Sequence, residues 1–231
     1  MKIYAVVVAG GRGSRMDTDI PKQYMEIHGK PLLYYTLKAF EDSCVDGISL
    51  VVAYDRMQYA VTQIVDKYGF PKVVSICEGG RERFYSVLHA LDDLSGIAQD
   101  DDIVLIQDGA RPFVTADLIR EIAEAVQTYG AAIAAVPAKD TIKIADEDGF
   151  VVSTTVRANT WQIQTPQGFR YGEIHKAYRD LLEKAVPPQV TDDSQVFELA
   201  FPEKKVNLVK ASYDNIKITT PEDFEVAKER L

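Results

Sequence analysis

The sequence predicts an α/β fold in which a mostly parallel β-sheet is covered by helices on both faces. Short apolar runs rich in β-branched residues recur along the first half of the chain, as is typical of buried parallel strands. Amphipathic segments of helical length separate these runs, and glycine ends several of the segments. Strands that alternate with helices in this way indicate βαβ units.

The first elements follow this alternation. Ile3–Val8 is an apolar run that predicts a buried strand, and the next helix begins at Pro31, a residue favoured in a first turn. A second strand is predicted at Gly47–Ala53. A helix is then predicted over Asp55–Tyr68, and it ends at Gly69 because glycine readily adopts the left-handed conformation of a helix terminus.

The middle of the chain continues the pattern. A third and a fourth strand are predicted at Lys72–Cys77 and Asp102–Gln107, on either side of a helix over Arg83–Leu94. The segment Thr115–Tyr129 predicts a helix capped by its threonine, and Ala131–Val136 predicts a fifth strand. We therefore expect a Rossmann-like, three-layer α/β domain.

The alternation stops after Pro137, where two runs of alternating polarity flank the turn sequence "ADEDG". These runs, Thr141–Ile144 and Phe150–Val156, predict a β-hairpin. A doubly wound sheet does not need such a hairpin for its core. We expect residues 138–160 to project as an arm used for dimerisation, and the alternative is a surface flap on a monomer.

The remaining segments complete one domain that spans residues 1–231. Helices are predicted at Tyr171–Lys184 and Asp193–Leu199, followed by a last strand at Lys205–Lys210. Thr220 begins the terminal helix, because it precedes a proline and two acidic residues that favour a first turn.

Composition argues against some classes of function. The net charge of −9 does not suit a general nucleic-acid-binding protein, since such proteins need a basic face. The sequence has no apolar run long enough to span a bilayer and no signal-peptide layout. Its two cysteines form no disulfide framework, so we expect a cytoplasmic protein without nucleic-acid or membrane partners.

The stretch "AVVVAGGRGSRMDTDIPKQY" resembles a strand that opens into a phosphate-binding loop. Glycines allow backbone N–H groups to approach an anion, and Arg15 and Lys22 add positive charge beside them. The dinucleotide pattern G-x-G-x-x-G fails at Met16, and the P-loop pattern fails at Arg15. The stretch therefore predicts a phosphate site of another kind, and the alternative is a tight turn with solvated charges.

This loop and six later segments resemble one family of nucleotidyltransferases. The later segments are "EGGRERFYSV", "QDGARPFV", "PAKDTIK", "WQIQTPQGF", "TDDSQVFE" and "DNIKITTPED". Together they are similar to the 2-C-methyl-D-erythritol 4-phosphate cytidylyltransferases of the non-mevalonate isoprenoid pathway, although Gln107 stands where that family often has histidine. The related ribitol-5-phosphate cytidylyltransferases share several of these segments and remain an alternative, as does a catalytically silent nucleotide-binding homologue.

The resemblance implies a reaction in which a polyol phosphate attacks the α-phosphorus of CTP and releases pyrophosphate. It implies that Arg15 and Lys22 stabilise the charge that develops on the triphosphate. Backbone contacts to the nucleotide are expected from the loop and from a second segment. The residues concerned are Ala9, Gly10, Gly11, Gly80 and Ser86.

The same resemblance assigns residues to the polyol substrate. Asp108 and Arg111 are expected to contact it, and Asp108 is also a candidate ligand for Mg²⁺, which would bind mainly through the triphosphate. The alternative for Asp108 is a structural pair with Arg111. Thr141 and Arg157 on the arm are expected to reach the substrate of a partner subunit in a homodimer, while Lys217 binds the substrate phosphate.

Overall fold

The computed structural model describes residues 1–11, 20–183 and 190–231. Within these ranges the strands are β1 (Ile3–Ala9), β2 (Glu26–Ile27), β3 (Lys30–Pro31), β4 (Gly47–Val52), β5 (Val73–Glu78), β6 (Ile103–Asp108), β7 (Ala131–Pro137), β8 (Lys143–Ala145), β9 (Val151–Thr154), β10 (Trp161–Arg170) and β11 (Asn207–Lys210). The α-helices are α1 (Leu32–Glu41), α2 (Met57–Tyr59), α3 (Asp66–Tyr68), α4 (Arg83–Leu94), α5 (Ala116–Tyr129), α6 (Tyr171–Leu182), α7 (Asp193–Ala200) and α8 (Pro221–Arg230).

Seven strands form the central sheet in the order β11-β7-β10-β6-β1-β4-β5. Strand β10 runs antiparallel to both of its neighbours, and every other adjacent pair in the sheet is parallel. The predicted mostly parallel α/β sheet is therefore confirmed.

Helices cover both faces of this sheet, which explains why strands such as β4 and β6 are largely apolar. All residues of β4 and β6 are buried. One face packs against α1, α5 and the helical segment before β5, with Phe40 and Ile119 fully buried there. The other face packs against α4, α6 and α7 around Leu91, Ile174 and Phe197. Burial on both faces removes the polar alternation that a half-exposed strand would show.

The helix predicted over Asp55–Tyr68 is present but is not uniform. Its middle, Ala60–Val65, is a π-helix between α2 and α3, and a 3₁₀ turn over Tyr54–Arg56 precedes it. The segment ends at Gly69, which has a φ of +68° as its predicted role as a terminator requires. The π-helical turn has no signal in the amphipathic pattern.

The predicted hairpin is confirmed as a separate two-stranded sheet of β8 and β9. Every residue of the two strands is exposed, and Phe150 beside them is 72% exposed. The hairpin joins the main sheet through the Ala138 N–H, which donates to the Thr160 carbonyl at 2.9 Å. These residues thus form an arm with no core of its own.

Strand β10 is the strand of the central sheet that the sequence did not predict. It pairs with β6 and β7 in the middle of the sheet, although it contains Pro166 and several glutamines. A register shift between Ile163 and Gln167 accommodates the proline, which cannot donate a ladder hydrogen bond. The strand therefore lacks the apolar, proline-free pattern by which a central strand is recognised.

The later predictions agree with the structure to within a few residues. Helices α6 and α7 and strand β11 lie where they were expected. Lys184, the last residue of the predicted helix Tyr171–Lys184, lies outside the described residues. Thr220 caps α8 through a capping box with Asp223. No helix among the described residues is long and apolar enough to cross a membrane.

Candidate active site

The carboxyl ends of β1, β5 and β6 meet at one edge of the sheet, where open α/β sheets bind their ligands. Strand β1 ends at Ala9, β5 ends at Glu78 and β6 ends at Asp108. The segments that follow these strands carry most of the predicted site residues. Strand order thus assembles residues that are distant in sequence.

Gly10, directly after β1, lies against the turn after β5. A Cβ atom on Gly10 would be 3.4 Å from the Cα of Gly79, so the two backbones are in contact. The buried Gln23 donates from Nε2 to the carbonyls of Ala9 at 2.7 Å and Gly11 at 2.8 Å. Gln23 lies in the quoted "PKQY" segment, but its role in holding the loop was not predicted.

Gly80 and Ser86, which were both assigned to the nucleotide, are brought together and form a hydrogen bond with each other. The Gly80 N–H donates to Ser86 Oγ at 3.1 Å, and that hydroxyl donates to the Glu82 carbonyl at 3.1 Å. A Cβ atom on Gly80 would lie 2.2 Å from the Cβ of Tyr85. Glycine is therefore required at this position by packing alone.

Lys22, which was assigned to the triphosphate, contacts the segment that carries Lys217, which was assigned to the polyol phosphate. The Lys22 Nζ donates to the Ile218 carbonyl at 2.7 Å, one residue after Lys217. The predicted triphosphate ligand Arg15 lies outside the described residues. Lys22 thus links the glycine-loop side of the site to the Lys217 side.

Asp108 is the centre of a buried charge cluster. Arg83 Nε lies 3.2 Å from its Oδ1, while Lys217 Nζ and Arg111 Nε lie 2.9 Å and 3.6 Å from its Oδ2. Burial acts to raise the pKa of this carboxyl, but the three cations outweigh burial and hold the pKa well below its usual range. Asp108 is therefore an anion surrounded by positive charge, and the pair with Arg111 that was the alternative is present.

Arg83 extends this cluster toward α7. Its Nη1 and Nη2 donate to the two carboxylate oxygens of Asp193, each at 2.7 Å. Asp193 is fully buried and also accepts a hydrogen bond from the Tyr178 hydroxyl at 2.5 Å. The segment "TDDS" contributed to the family resemblance, but no pattern in the chain indicates that Asp193 meets Arg83.

Arg111 is held by the polar middle of β10. Its Nη1 donates to the Asn215 carbonyl at 2.7 Å, and Asn215 Nδ2 donates to Gln164 Oε1 and to the Thr165 carbonyl, each at 2.9 Å. Burial lowers the pKa of Arg111 from its ordinary value, although Asp108 counteracts part of that effect. The Thr165 hydroxyl accepts from the Asp108 N–H at 3.1 Å. The glutamines and threonine that obscured β10 in the sequence thus anchor the site.

Two of the predicted substrate residues lie elsewhere. Thr141 and Arg157 are exposed residues of the arm, and neither side chain forms a hydrogen bond or ion pair with the Asp108 cluster among the described residues. Within one subunit they are therefore not part of the assembled site.

The described residues offer little to a metal ion held by the protein itself. They contain no group of three His, Cys, Asp or Glu side chains placed to hold one. Both oxygens of Asp108 already face cations, which repel a divalent ion at that carboxylate. The residues around Asp108 therefore suit an anion better than a metal.

The family model that matches this chain is that of 2-C-methyl-D-erythritol 4-phosphate cytidylyltransferase, over residues 3–231. The chain is 46% identical over 224 residues to the enzyme of that name from Lachnospira eligens, covering 96% of each protein. It is 46% identical over 226 residues to the enzyme of that name from Clostridium kluyveri, covering 97% of this chain and 94% of the relative.

Solved structures lead to the same family. The 4-diphosphocytidyl-2C-methyl-D-erythritol synthase of Anaerococcus prevotii superposes with a TM-score of 0.86 at 34% identity, over 99% of this chain and 95% of the other. The 2-C-methyl-D-erythritol 4-phosphate cytidylyltransferase of Francisella tularensis superposes with a TM-score of 0.82 at 32% identity, over the full length of both chains.

Proposed function

The chain belongs to the 2-C-methyl-D-erythritol 4-phosphate cytidylyltransferase family and transfers a cytidylyl group from CTP to that polyol phosphate, and we propose that it does so by in-line attack on the α-phosphorus. The products are 4-diphosphocytidyl-2-C-methyl-D-erythritol and pyrophosphate. The nucleophile is an oxygen of the substrate phosphate, which is largely dianionic at neutral pH because its second pKa is about 6. No side chain has to act as a nucleophile, so the protein supplies position and positive charge.

The contact between Lys22 and the segment that carries Lys217 is the observation that supports this mechanism best. The two substrates must meet so that a phosphate oxygen of one reaches the α-phosphorus of the other. In our proposal Lys22, together with Arg15, stabilises the negative charge that develops on the triphosphate. Fixed cations directed at developing charge contribute strongly to such reactions.

Lys217 and Arg111 would hold the phosphate of the polyol, and Asp108 would contact its hydroxyl groups. Lys217 is bound to Asp108 at 2.9 Å before any substrate arrives. An incoming dianionic phosphate competes with Asp108 for this lysine. As Lys217 turns to the phosphate, one oxygen of Asp108 becomes able to accept a hydrogen bond from the polyol.

The backbones of Gly10, Gly11 and Gly80, with Ala9 and Ser86, would form the nucleotide side of the site. The close contact between Gly10 and Gly79 supports this assignment, since it joins the two predicted nucleotide segments into one wall. Mg²⁺ would arrive as the CTP complex, bound by triphosphate oxygens and water.

We further propose that the protein is a homodimer in which the arm crosses to the partner. The exposed apolar side chains of the arm support this, because Phe150, Val151 and Val152 are each more than half exposed. Thr141 and Arg157 would then enter the partner's site beside its polyol phosphate. A cytoplasmic location fits the two free cysteines and the charged substrates.

The activity is tested by offering CTP and Mg²⁺ with 2-C-methyl-D-erythritol 4-phosphate or with ribitol 5-phosphate and measuring pyrophosphate release. We expect preferential turnover of the methylerythritol substrate. Preferential turnover of ribitol 5-phosphate would reject that substrate assignment, and no release with either would indicate a catalytically silent homologue.

A further inference from the structure

Asp193 is a carboxylate that the proposed mechanism does not use, although it is fully buried beside the site. It is the first residue of α7 and accepts two hydrogen bonds from Arg83 and one from the Tyr178 hydroxyl. A buried charge needs partners, and here the partners satisfy both oxygens.

Arg83 connects this carboxylate to the substrate site. Its two terminal nitrogens are bound to Asp193 at 2.7 Å each, and its Nε is directed at Asp108 Oδ1 at 3.2 Å. Because the guanidinium is planar and rigid, the two bonds to Asp193 also fix the direction of Nε. The other oxygen of Asp108 is the one that Lys217 contacts at 2.9 Å.

We propose that Asp193 is a positioning residue for the polyol-phosphate half of the site, acting through Arg83 on Asp108 and thereby on Lys217. The inference rests on the proposed function, which assigns Lys217 to the substrate phosphate. Without the charge of Asp193, Arg83 would have Asp108 as its one nearby carboxylate among the described residues. Arg83 would then compete with Lys217 for Asp108 and displace the lysine from its place.

A purely structural role for Asp193 has a different consequence. In that case Asp193 only holds α7 against α4 and α6, through Arg83 and Tyr178. Its loss would lower stability without favouring one substrate over the other. The two roles can be separated because Tyr178→Phe removes a buried hydrogen bond to Asp193 but keeps the ion pair with Arg83.

The experiment compares Asp193→Asn with Tyr178→Phe in the full-length enzyme, measuring kcat, the Michaelis constant for each substrate and the Tm. We expect Asp193→Asn to raise the KM for the polyol phosphate on the order of tenfold, because residues in one hydrogen-bond network are usually coupled by a free energy of this size. The KM for CTP should change less than about twofold. Tyr178→Phe should lower the Tm and leave both KM values near those of the wild type. Equal changes in both KM values, or the same kinetic effect from Tyr178→Phe, would overturn the proposal.

A double-substitution cycle tests the route of the effect. In a Lys217→Ala background, Asp193→Asn should add little to the KM for the polyol phosphate, and a full additional tenfold rise would overturn the inference. If Lys217→Ala alone left that KM unchanged, the proposed role of Lys217 would fail and the inference with it. If Lys217→Ala raised the KM for the polyol phosphate as expected but Asp193→Asn left it unchanged, the inference about Asp193 would fail while the proposed function would stand.

If Asp193→Asn does not fold, Arg83→Lys examines the same link. Lysine keeps the positive charge, but its single nitrogen cannot bridge Asp193 and Asp108 as the guanidinium does. The same selective rise in the KM for the polyol phosphate is expected, and unchanged kinetics in this folded variant would count against the proposal.

Discussion

At the scale of single residues, Gly80 combines a steric requirement with a proposed place in the nucleotide wall. Gly80→Ala would put a methyl group 2.2 Å from the Cβ of Tyr85, so the turn must move. We expect a loss of about 1–3 kcal/mol in the free energy of unfolding, as for other overpacked sites, and a higher KM for CTP. Gly96→Ala is the control, because no atom lies within 4 Å of its added Cβ. Urea unfolding of both variants measures the difference, and equal stabilities would contradict this steric argument.

Substitution of the two lysines of the site should change the kinetics of the enzyme in different ways. Lys22→Ala removes charge needed mainly in the transition state, so kcat should fall by roughly 100-fold or more with a smaller change in the KM for CTP. Lys217→Ala should instead raise the KM for the polyol phosphate, by roughly tenfold or more, since bonds to charged groups are lost. Lys228→Ala, at an exposed pair with Glu225, is the control. Steady-state kinetics with each substrate varied measures both effects. If the two substitutions changed kcat and the two KM values in the same way, the division of roles would be rejected.

The charge cluster also predicts how stability depends on pH. The pKa of Asp108 is lower in the folded chain than in the unfolded one, where it has the ordinary carboxyl value of about 3.9. Its contribution is therefore fully present above that value and is lost only as the pH falls toward the folded pKa. The difference in unfolding free energy between the wild type and Asp108→Asn should stay constant from about pH 8 to about pH 5 and shrink below about pH 4. A difference that already declined near pH 6 would contradict this.

At the scale of elements, the arm should contribute to assembly more than to folding. Phe150 is 72% exposed on a hairpin without a core, so Phe150→Ser removes little packing within one subunit. We expect this variant to shift the protein toward monomers, with reduced activity and a nearly unchanged circular dichroism spectrum. Leu199→Ser, at a site 44% exposed on α7, serves as the control. Sedimentation velocity gives the oligomeric state, and a variant that assembles like the wild type would argue against a dimer held by the arm.

The elements differ in how far the sequence could predict them. Strands β4 and β6 were predicted because burial on both faces favours the largely apolar runs that they contain. Strand β10 was not, because its polar residues bind Asn215 and Asp108 rather than pack in the core. Tertiary contacts hold β10 in the sheet, and the local propensity of its residues does not encode those contacts.

At the scale of the whole molecule, the proposed shared site predicts complementation between inactive variants. Arg15→Ala and Arg157→Ala would each disable both sites of a homodimer, but a hybrid dimer would contain one intact site. Random exchange between equal amounts should restore about a quarter of wild-type activity, since half of the dimers are hybrids with one working site of two. Exchange is followed by native mass spectrometry. Hybrids that form without activity would contradict a site built from two subunits.

Contacts between residues far apart in the chain limit what the sequence alone shows about the site. The motifs indicate which residues to assign to the site, but the contacts that organise these residues join distant positions. Lys22 meets a carbonyl 196 positions away, and Arg83 meets a carboxylate 110 positions away. These pairs arise from the strand order, and no spacing between motifs encodes them.

The reversed direction of β10 determines where the arm leaves the molecule. Trp161, at the beginning of β10, pairs with Pro137 at the end of β7, so the chain departs and returns at the edge of the sheet that carries the candidate active site. A parallel strand in this place would begin at the opposite edge, a full sheet height from the candidate active site. Each limb of the arm has about ten residues and can extend at most about 35 Å. The length of its two limbs thus limits how far the tip of the arm can reach from that edge of the sheet.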